Sequence, residues 1–157
     1  MKYRKLPHGE EQISIIGMGS SVIGEQAEKD IIKTVHFAMD EGINYFDMAG
    51  GHASIFQAYG KALEGRRKEA MLQVHFGANY ITGEYGWTTN LNTDYIDFGF
   101  IHCLDEERDL IDYERNGVLK FILDLKEQGV VRHIGLSTHA PELANKVMDK
   151  NILDMLM

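Results

Sequence analysis

Four short apolar segments of this 157-residue chain end in side chains able to do chemistry. Ile43-Asn44-Tyr45-Phe46 delivers Asp47, Gln73-Val74 delivers His75, Phe100-Ile101 delivers His102, and Gly135-Leu136 delivers Ser137 and Thr138. A carboxylate placed after Tyr45 and Phe46 costs free energy to bury unless it is paired or hydrogen-bonded, so its position implies a partner or a task. An imidazole has an unperturbed pKa of about 6.5 and can hold or release a proton near neutral pH. The set could therefore serve an acid–base reaction. The structural alternatives stay open: Asp47 as the cap of the helix that follows it, and His75 and His102 as satisfied core histidines. His52, behind Gly50-Gly51, is a further candidate and equally a solvated loop histidine. Asp47, His52, His75 and His102 could also form an imidazole–carboxylate set for Zn²⁺, as in a metal-dependent hydrolase, although the chain holds no His-x-His pair.

These groups must be positioned by their elements. Arg4-Lys5-Leu6, Pro7-His8-Gly9 and Gln12-Ile13-Ser14 predict a small hairpin around a Pro/Gly turn. Residues 13–19 read as a buried first strand. Helical spacing of Ile31, Val35, Ala38 and Met39 predicts a helix over 26–41, stopped by Gly42. Ile55, Tyr59, Ala62 and Leu63 mark the inner face of a helix over 53–64. Strands follow over 70–76 and 95–102, a helix over 115–128, a strand over 130–136, a helix over 141–150 opened by Pro141, and a strand over 152–157. The connection 78–94, with Trp87 in an aromatic loop, shows no helical period.

Strand–helix alternation implies a parallel sheet with right-handed crossovers, whose active groups gather at the C-terminal strand ends. Asp47, His75 and His102 are thus expected to share one mouth. About six strands are supplied, whereas a closed eight-stranded barrel usually takes about 250 residues. The expectation is an incomplete (β/α)8 barrel forming a single domain over 1–157, with open sheet edges that could pair in a homo-oligomer.

Composition narrows the class. The chain is 44% hydrophobic and 25% charged, ordinary for a globular protein, and its net charge of −8 comes without a basic cluster. Nucleic acid and anionic membranes are unexpected partners, and a cytoplasmic location is the default expectation. Cys103, the single cysteine, cannot form an internal disulfide and reads as a small buried residue sooner than a nucleophile. Gly17-Met18-Gly19-Ser20-Ser21 is a weak dinucleotide fingerprint because the third glycine is displaced to Gly24; glycine-rich backbone near the nicotinamide end of a cofactor is the milder reading.

Taken together, the hairpin with Ile15-Ile16-Gly17-Met18-Gly19, then Gly42-Ile43-Asn44-Tyr45-Phe46-Asp47, Gly60-Lys61-Ala62-Leu63, Thr93-Asp94-Tyr95-Ile96-Asp97 through His102, and Val131-Arg132-His133-Ile134-Gly135-Leu136-Ser137 resemble the aldo-keto reductase family in order along the whole chain. The resemblance implies a (β/α)8 barrel transferring hydride between NADPH, or NADH, and a small carbonyl or alcohol substrate. It implies that Asp47 matches the aspartate that orients and tunes a lysine, and His102 the histidine that hydrogen-bonds the substrate carbonyl. The family's proton-donating tyrosine falls at His52 and its lysine at His75, so either histidine would replace the missing acid. Gly17, Met18, Gly19, Ser137 and Thr138 would lie against the cofactor, with Ser137 matching a residue that binds the nicotinamide amide and Thr138 standing where asparagine is usual. Phe46-Asp47-Met48-Ala49 and Val74-His75-Phe76-Gly77 resemble a divergent branch, many of whose members carry a C-terminal iron–sulfur, ferredoxin-like segment; this chain has no such cysteines. Beside it, the chain is expected to be truncated and to lack one helix between the third and fourth strands. A non-catalytic partial barrel stabilised by oligomerisation is the alternative reading.

Overall fold

The computed structural model describes residues 1–7, 9–48, 53–77 and 91–157. Its elements in chain order are β1 (Tyr3–Lys5), β2 (Gln12–Ser14), β3 (Met18–Gly19), α1 (Glu28–Asp40), β4 (Tyr45–Met48), α2 (Ala53–Ala62), β5 (Met71–Phe76), β6 (Ile96–Ile101), α3 (Glu107–Arg115), α4 (Val118–Glu127), β7 (Val131–Leu136), α5 (Pro141–Met148) and β8 (Met155–Leu156). β1 and β2 form the antiparallel hairpin, and six strands form a sheet ordered β3-β4-β5-β6-β7-β8. This is the partial α/β barrel architecture expected from the alternation of strands and helices. His8, in the hairpin turn, and most of the 78–94 connection with Trp87 lie outside the described residues.

The chain divides into two compact units, Met1–Gln73 with Glu84–Asp94, and Val74–Gly83 with Tyr95–Met157. In the first unit, β3 runs parallel to β4 with Met18 opposite Phe46 and Gly19 opposite Asp47. Asn44 ties the hairpin to the start of β4: its Oδ1 accepts from the Ser14 amide at 2.8 Å, and its Nδ2 donates to the Gln12 carbonyl at 2.8 Å. Helix α1 buries the expected face of Ile31, Val35, Ala38 and Met39. Ile55, Tyr59, Ala62 and Leu63 are likewise buried on and just beyond α2. The expected first strand over 13–19 is a correction. Ile13 and Ser14 belong to the hairpin strand β2, Met18–Gly19 alone joins the parallel sheet, and Ile15 and Ile16 between them are about half exposed. An apolar run reports a wish for burial, and here the backbone of Ile15 instead bonds back to Lys2.

In the second unit, β6 and β7 are paired in parallel from Ile96 opposite Val131 to Ile101 opposite Leu136. The Phe100 ring lies over the backbone of its neighbour Gly135, where an added Cβ would stand 2.3 Å from ring carbon Cε2. No other residue fits that position without displacing a core aromatic ring. Helix α4 begins at Val118, three residues after the expected start, and is preceded by a helix that periodicity did not signal. α3 is two-thirds charged, with Leu110 as its one buried residue. Its start is instead marked by Asp109, whose Oδ2 accepts from the Glu106 amide at 2.8 Å. β8 is two residues long, shorter than expected, and its start is fixed by Asp154. That carboxylate accepts from Lys126 Nζ at 2.5 Å and from the Ile134 amide at 2.9 Å.

Burial alone would raise the Asp154 pKa, but the hydrogen bonds from Lys126 and Ile134 and the Lys126 charge outweigh it and hold it below the ordinary carboxylate range. Because the folded value is depressed, this contribution is complete above the unfolded pKa of about 3.9 and fades as pH falls through the folded value. Asp154→Asn should therefore cost about 1–2 kcal/mol near neutral pH, with the deficit shrinking in acid, as read by urea denaturation between pH 2 and 7. Gly135→Ala should cost about 1–3 kcal/mol by the same measurement at any pH in that range.

Candidate active site

The first unit presents a buried polar chain at the end of β4. Gln73, fully buried on β5, donates from Nε2 to Asp47 Oδ1 at 3.0 Å. The Tyr45 hydroxyl donates in turn to Gln73 Oε1. The amide orientation follows from the chemistry of its partners, since an ionised carboxylate can only accept. Asp47 is half-buried, and Tyr45 is 9% exposed. Burial, and after it the Asp47 charge, pushes the Tyr45 phenol well above its ordinary pKa, so it remains a donor throughout the neutral range. Tyr59 on α2 is raised for the same two reasons, and its wholly buried hydroxyl has no hydrogen-bond partner among the described residues.

Two of the glycines singled out in the sequence do different jobs. A Cβ on Gly17 would meet the Tyr45 ring at 2.5 Å, so this glycine makes room for Tyr45. Among the described residues, a Cβ on Gly19 would meet nothing within 4 Å. Gly19, in register with Asp47, thus has space over its backbone among the described residues, beside the strand that carries the carboxylate. Met18 between them is half-buried.

In the second unit, His75 and His102 meet. Their Nδ1 atoms are 3.0 Å apart and their rings are perpendicular, at an interplanar angle of 88°. His75 is 4% exposed and lies against Phe100, whereas His102 is half-buried. One Nδ1 must donate to the other, so one ring carries its proton at Nδ1 and the partner, when neutral, carries its own at Nε2. The backbone places this pair: the His102 amide bonds the Phe76 carbonyl at 2.9 Å, and Tyr113 on α3 donates to the His102 carbonyl at 2.7 Å.

Ser137 and Thr138 follow β7. The Thr138 hydroxyl donates to the Leu104 carbonyl at 2.5 Å and accepts from the Ala140 amide at 2.9 Å, which pins the loop ahead of α5. Beyond it, Asp105 accepts from both the His139 amide at 2.7 Å and its Nδ1 at 2.8 Å, and these bonds lower the Asp105 pKa. Cys103 is half-buried, with backbone φ of +44°.

Of the candidate residues, Gly19 and Asp47 are neighbours in the first unit, and His75 and His102 form a contact pair in the second. His52 lies outside the described residues. Gln73 and Tyr45 are joined to Asp47 by hydrogen bonds that strand-end position does not predict, although a glutamine amid Met71, Leu72, Val74 and Phe76 signals a buried amide in need of partners. Among the described residues, no group of three or more His, Cys, Asp or Glu side chains is placed to hold a metal ion. No helix among them is long and apolar enough to cross a membrane.

Comparison with known proteins bears on this geometry. The chain is 28% identical over 176 aligned residues to an uncharacterized oxidoreductase, YqkF, of Bacillus subtilis (strain 168), covering all of this chain and 56% of that protein. It superposes with a TM-score of 0.80 on the holo form of the aldo-keto reductase AKR11C1 from Bacillus halodurans, at 25% identity, covering all of this chain and 57% of that one. An aldo-keto reductase from Klebsiella pneumoniae, solved in complex with NADPH, shares the fold at a TM-score of 0.65 and 20% identity, over 87% of this chain and 50% of that one. The chain thus spans about half the length of the curated relatives it matches. The family model for the aldo/keto reductases matches residues 15–157, nearly the whole chain with its strand-end aspartate and histidines, and the chain belongs to that oxidoreductase family.

Proposed function

We propose that the chain serves nicotinamide-dependent reduction of a small carbonyl compound, or oxidation of the corresponding alcohol. The observation that carries this reading is Asp47, a carboxylate at the end of an apolar strand, fixed by a buried amide and flanked by the open backbone position of Gly19. That open position tests the fit of a nicotinamide cofactor favourably, because a flat ring can approach backbone where no Cβ intervenes. NADPH or NADH is the expected cofactor, in keeping with the NADPH complex of the Klebsiella pneumoniae protein. Met18 and Gly19 are the residues of the first unit that would lie against it. When bound, it supplies the hydride.

The remaining work is proton handling. A carbonyl oxygen that gains hydride at carbon must also receive a proton, and a positioned acid lowers the barrier to that transfer. We assign this to the imidazole pair. His102, half-buried, would donate a hydrogen bond to the substrate oxygen, and His75 would hold the His102 tautomer through the Nδ1 contact. If His75 donates its Nδ1 proton, His102 retains its own at Nε2, the correct state for a donor. His52 is the other candidate acid. Asp47 supplies a fixed negative charge that disfavours loss of a nearby proton, consistent with the raised pKa of Tyr45 and Tyr59.

Long-range ¹H–¹⁵N spectra at pH 8 should show the His75 ring protonated on Nδ1 and the His102 ring on Nε2. The opposite assignment would remove His102 as the donor. Quenching of Trp87 fluorescence by NADPH or NADH at up to millimolar concentration tests the cofactor, and saturable quenching is expected. With a carbonyl substrate present, His102→Ala should lower turnover by about 10²-fold or more, in line with removal of a general acid; unchanged turnover would contradict the assignment.

A further inference from the structure

The hydrogen bonds around Asp47 carry one consequence beyond the family's usual set of residues. We infer that Gln73 is a positioning residue: its amide sets the direction of the Asp47 carboxylate for the proposed reaction, and Tyr45 sets the amide. The inference rests on the carbonyl-reductase reading for its purpose, but its geometry stands independently of that reading.

A carboxylate on a short side chain can rotate about χ2 through a broad, roughly two-fold well. The 3.0 Å bond from Gln73 Nε2 to Oδ1 singles out one oxygen and restricts that rotation. A buried glutamine amide could itself turn end for end, which would aim Oε1 at the carboxylate. The ionised Asp47 carboxylate can only accept and so disfavours that orientation, and the Tyr45 hydroxyl, donating to Oε1, holds the amide in the one that remains. Gly17 completes the arrangement: only a residue without Cβ leaves the Tyr45 ring its place, with the nearest ring carbon 2.5 Å from where that atom would be. Order therefore passes from Gly17 to Tyr45, to Gln73, to Asp47.

Two properties distinguish this lock from general core packing. Gln73 is fully buried and bonded to both neighbours, so replacing it with an apolar residue removes two buried hydrogen bonds at once. The donor to Asp47 is also neutral at every pH, so the lock holds a charged carboxylate without titrating. Substituting glutamate for the amide places two carboxylates within hydrogen-bond distance, and such a pair cannot ionise fully without strong repulsion.

Urea-denaturation midpoints of the wild type, Gln73→Glu, Gln73→Met and the Gln73→Glu/Asp47→Asn double variant, measured between pH 5 and 8, test the geometry. Gln73→Glu should lose stability relative to the wild type progressively as pH rises, and its deficit should shrink toward pH 5 as the pair takes up a proton. Gln73→Met should show a deficit that does not change with pH. The double variant should abolish the pH-dependent part, because one of the two charges is gone. A Gln73→Glu profile parallel to the wild type, or a double variant that keeps the pH dependence, would overturn the inference. For the purpose, Gln73→Met should lower kcat for carbonyl reduction at least tenfold while the cofactor Kd stays within twofold, and an unchanged kcat would refute a positioning role. Absence of turnover in the wild type would refute the reaction, leaving the carboxylate pair to be judged by the denaturation series alone.

Discussion

The hydrogen bond from Gln73 to Asp47 is the constraint on which the functional reading depends. An ionised carboxylate at the end of a strand flanked by Tyr45, Phe46 and Met48 is stable only with its charge solvated by something. An oriented amide does part of that here, and a phenol fixes the amide. The cost of burying these groups is met by mutual hydrogen bonding, which also fixes their directions. Direction is what a catalytic carboxylate needs, since electrostatic stabilisation of a reacting group depends on charges that do not have to reorganise.

The second unit shows how differently the same sheet treats its two kinds of strand terminus. Near the strand starts, carboxylates are matched with cations: Asp97 with Arg132 at 3.0 Å, and Asp154 with Lys126. Arg132 also stacks over the Tyr95 ring at 3.9 Å. These ion pairs tie neighbouring elements together at the strand starts. Near the strand ends stand His75 and His102, two groups able to exchange a proton with each other. Charge neutralised at the starts and proton-handling groups at the ends is the division between stability and chemistry that parallel β/α architectures make.

Much of the architecture was legible because burial periodicity is a strong signal where it exists. The faces of α1 and α2 and the strands ending at Asp47, His75 and His102 were read from their apolar spacing. α3 was missed because Leu110 is its one buried residue, so its start is written in the Asp109 cap and not in a period. The strand over 13–19 was overextended because Ile15 and Ile16 look like core and are half exposed. Within the site, the histidine pair could be suspected from two strand ends on neighbouring elements. Gln73 could not be paired with Tyr45 and Asp47, because inter-strand register depends on tertiary contacts that a single sequence does not state. The bonds of the Thr138 hydroxyl with Leu104 and Ala140 in the loop are likewise tertiary and not written in the local sequence.

The most direct test of the account is cofactor-induced chemical-shift mapping on ¹⁵N-labelled protein with NADPH or NADH added to several millimolar. Saturable shifts concentrated at Gly19, Asp47 and the Gln73 side-chain amide are predicted. Saturation with shifts confined to residues remote from these strand ends, or no shifts at all, would contradict it.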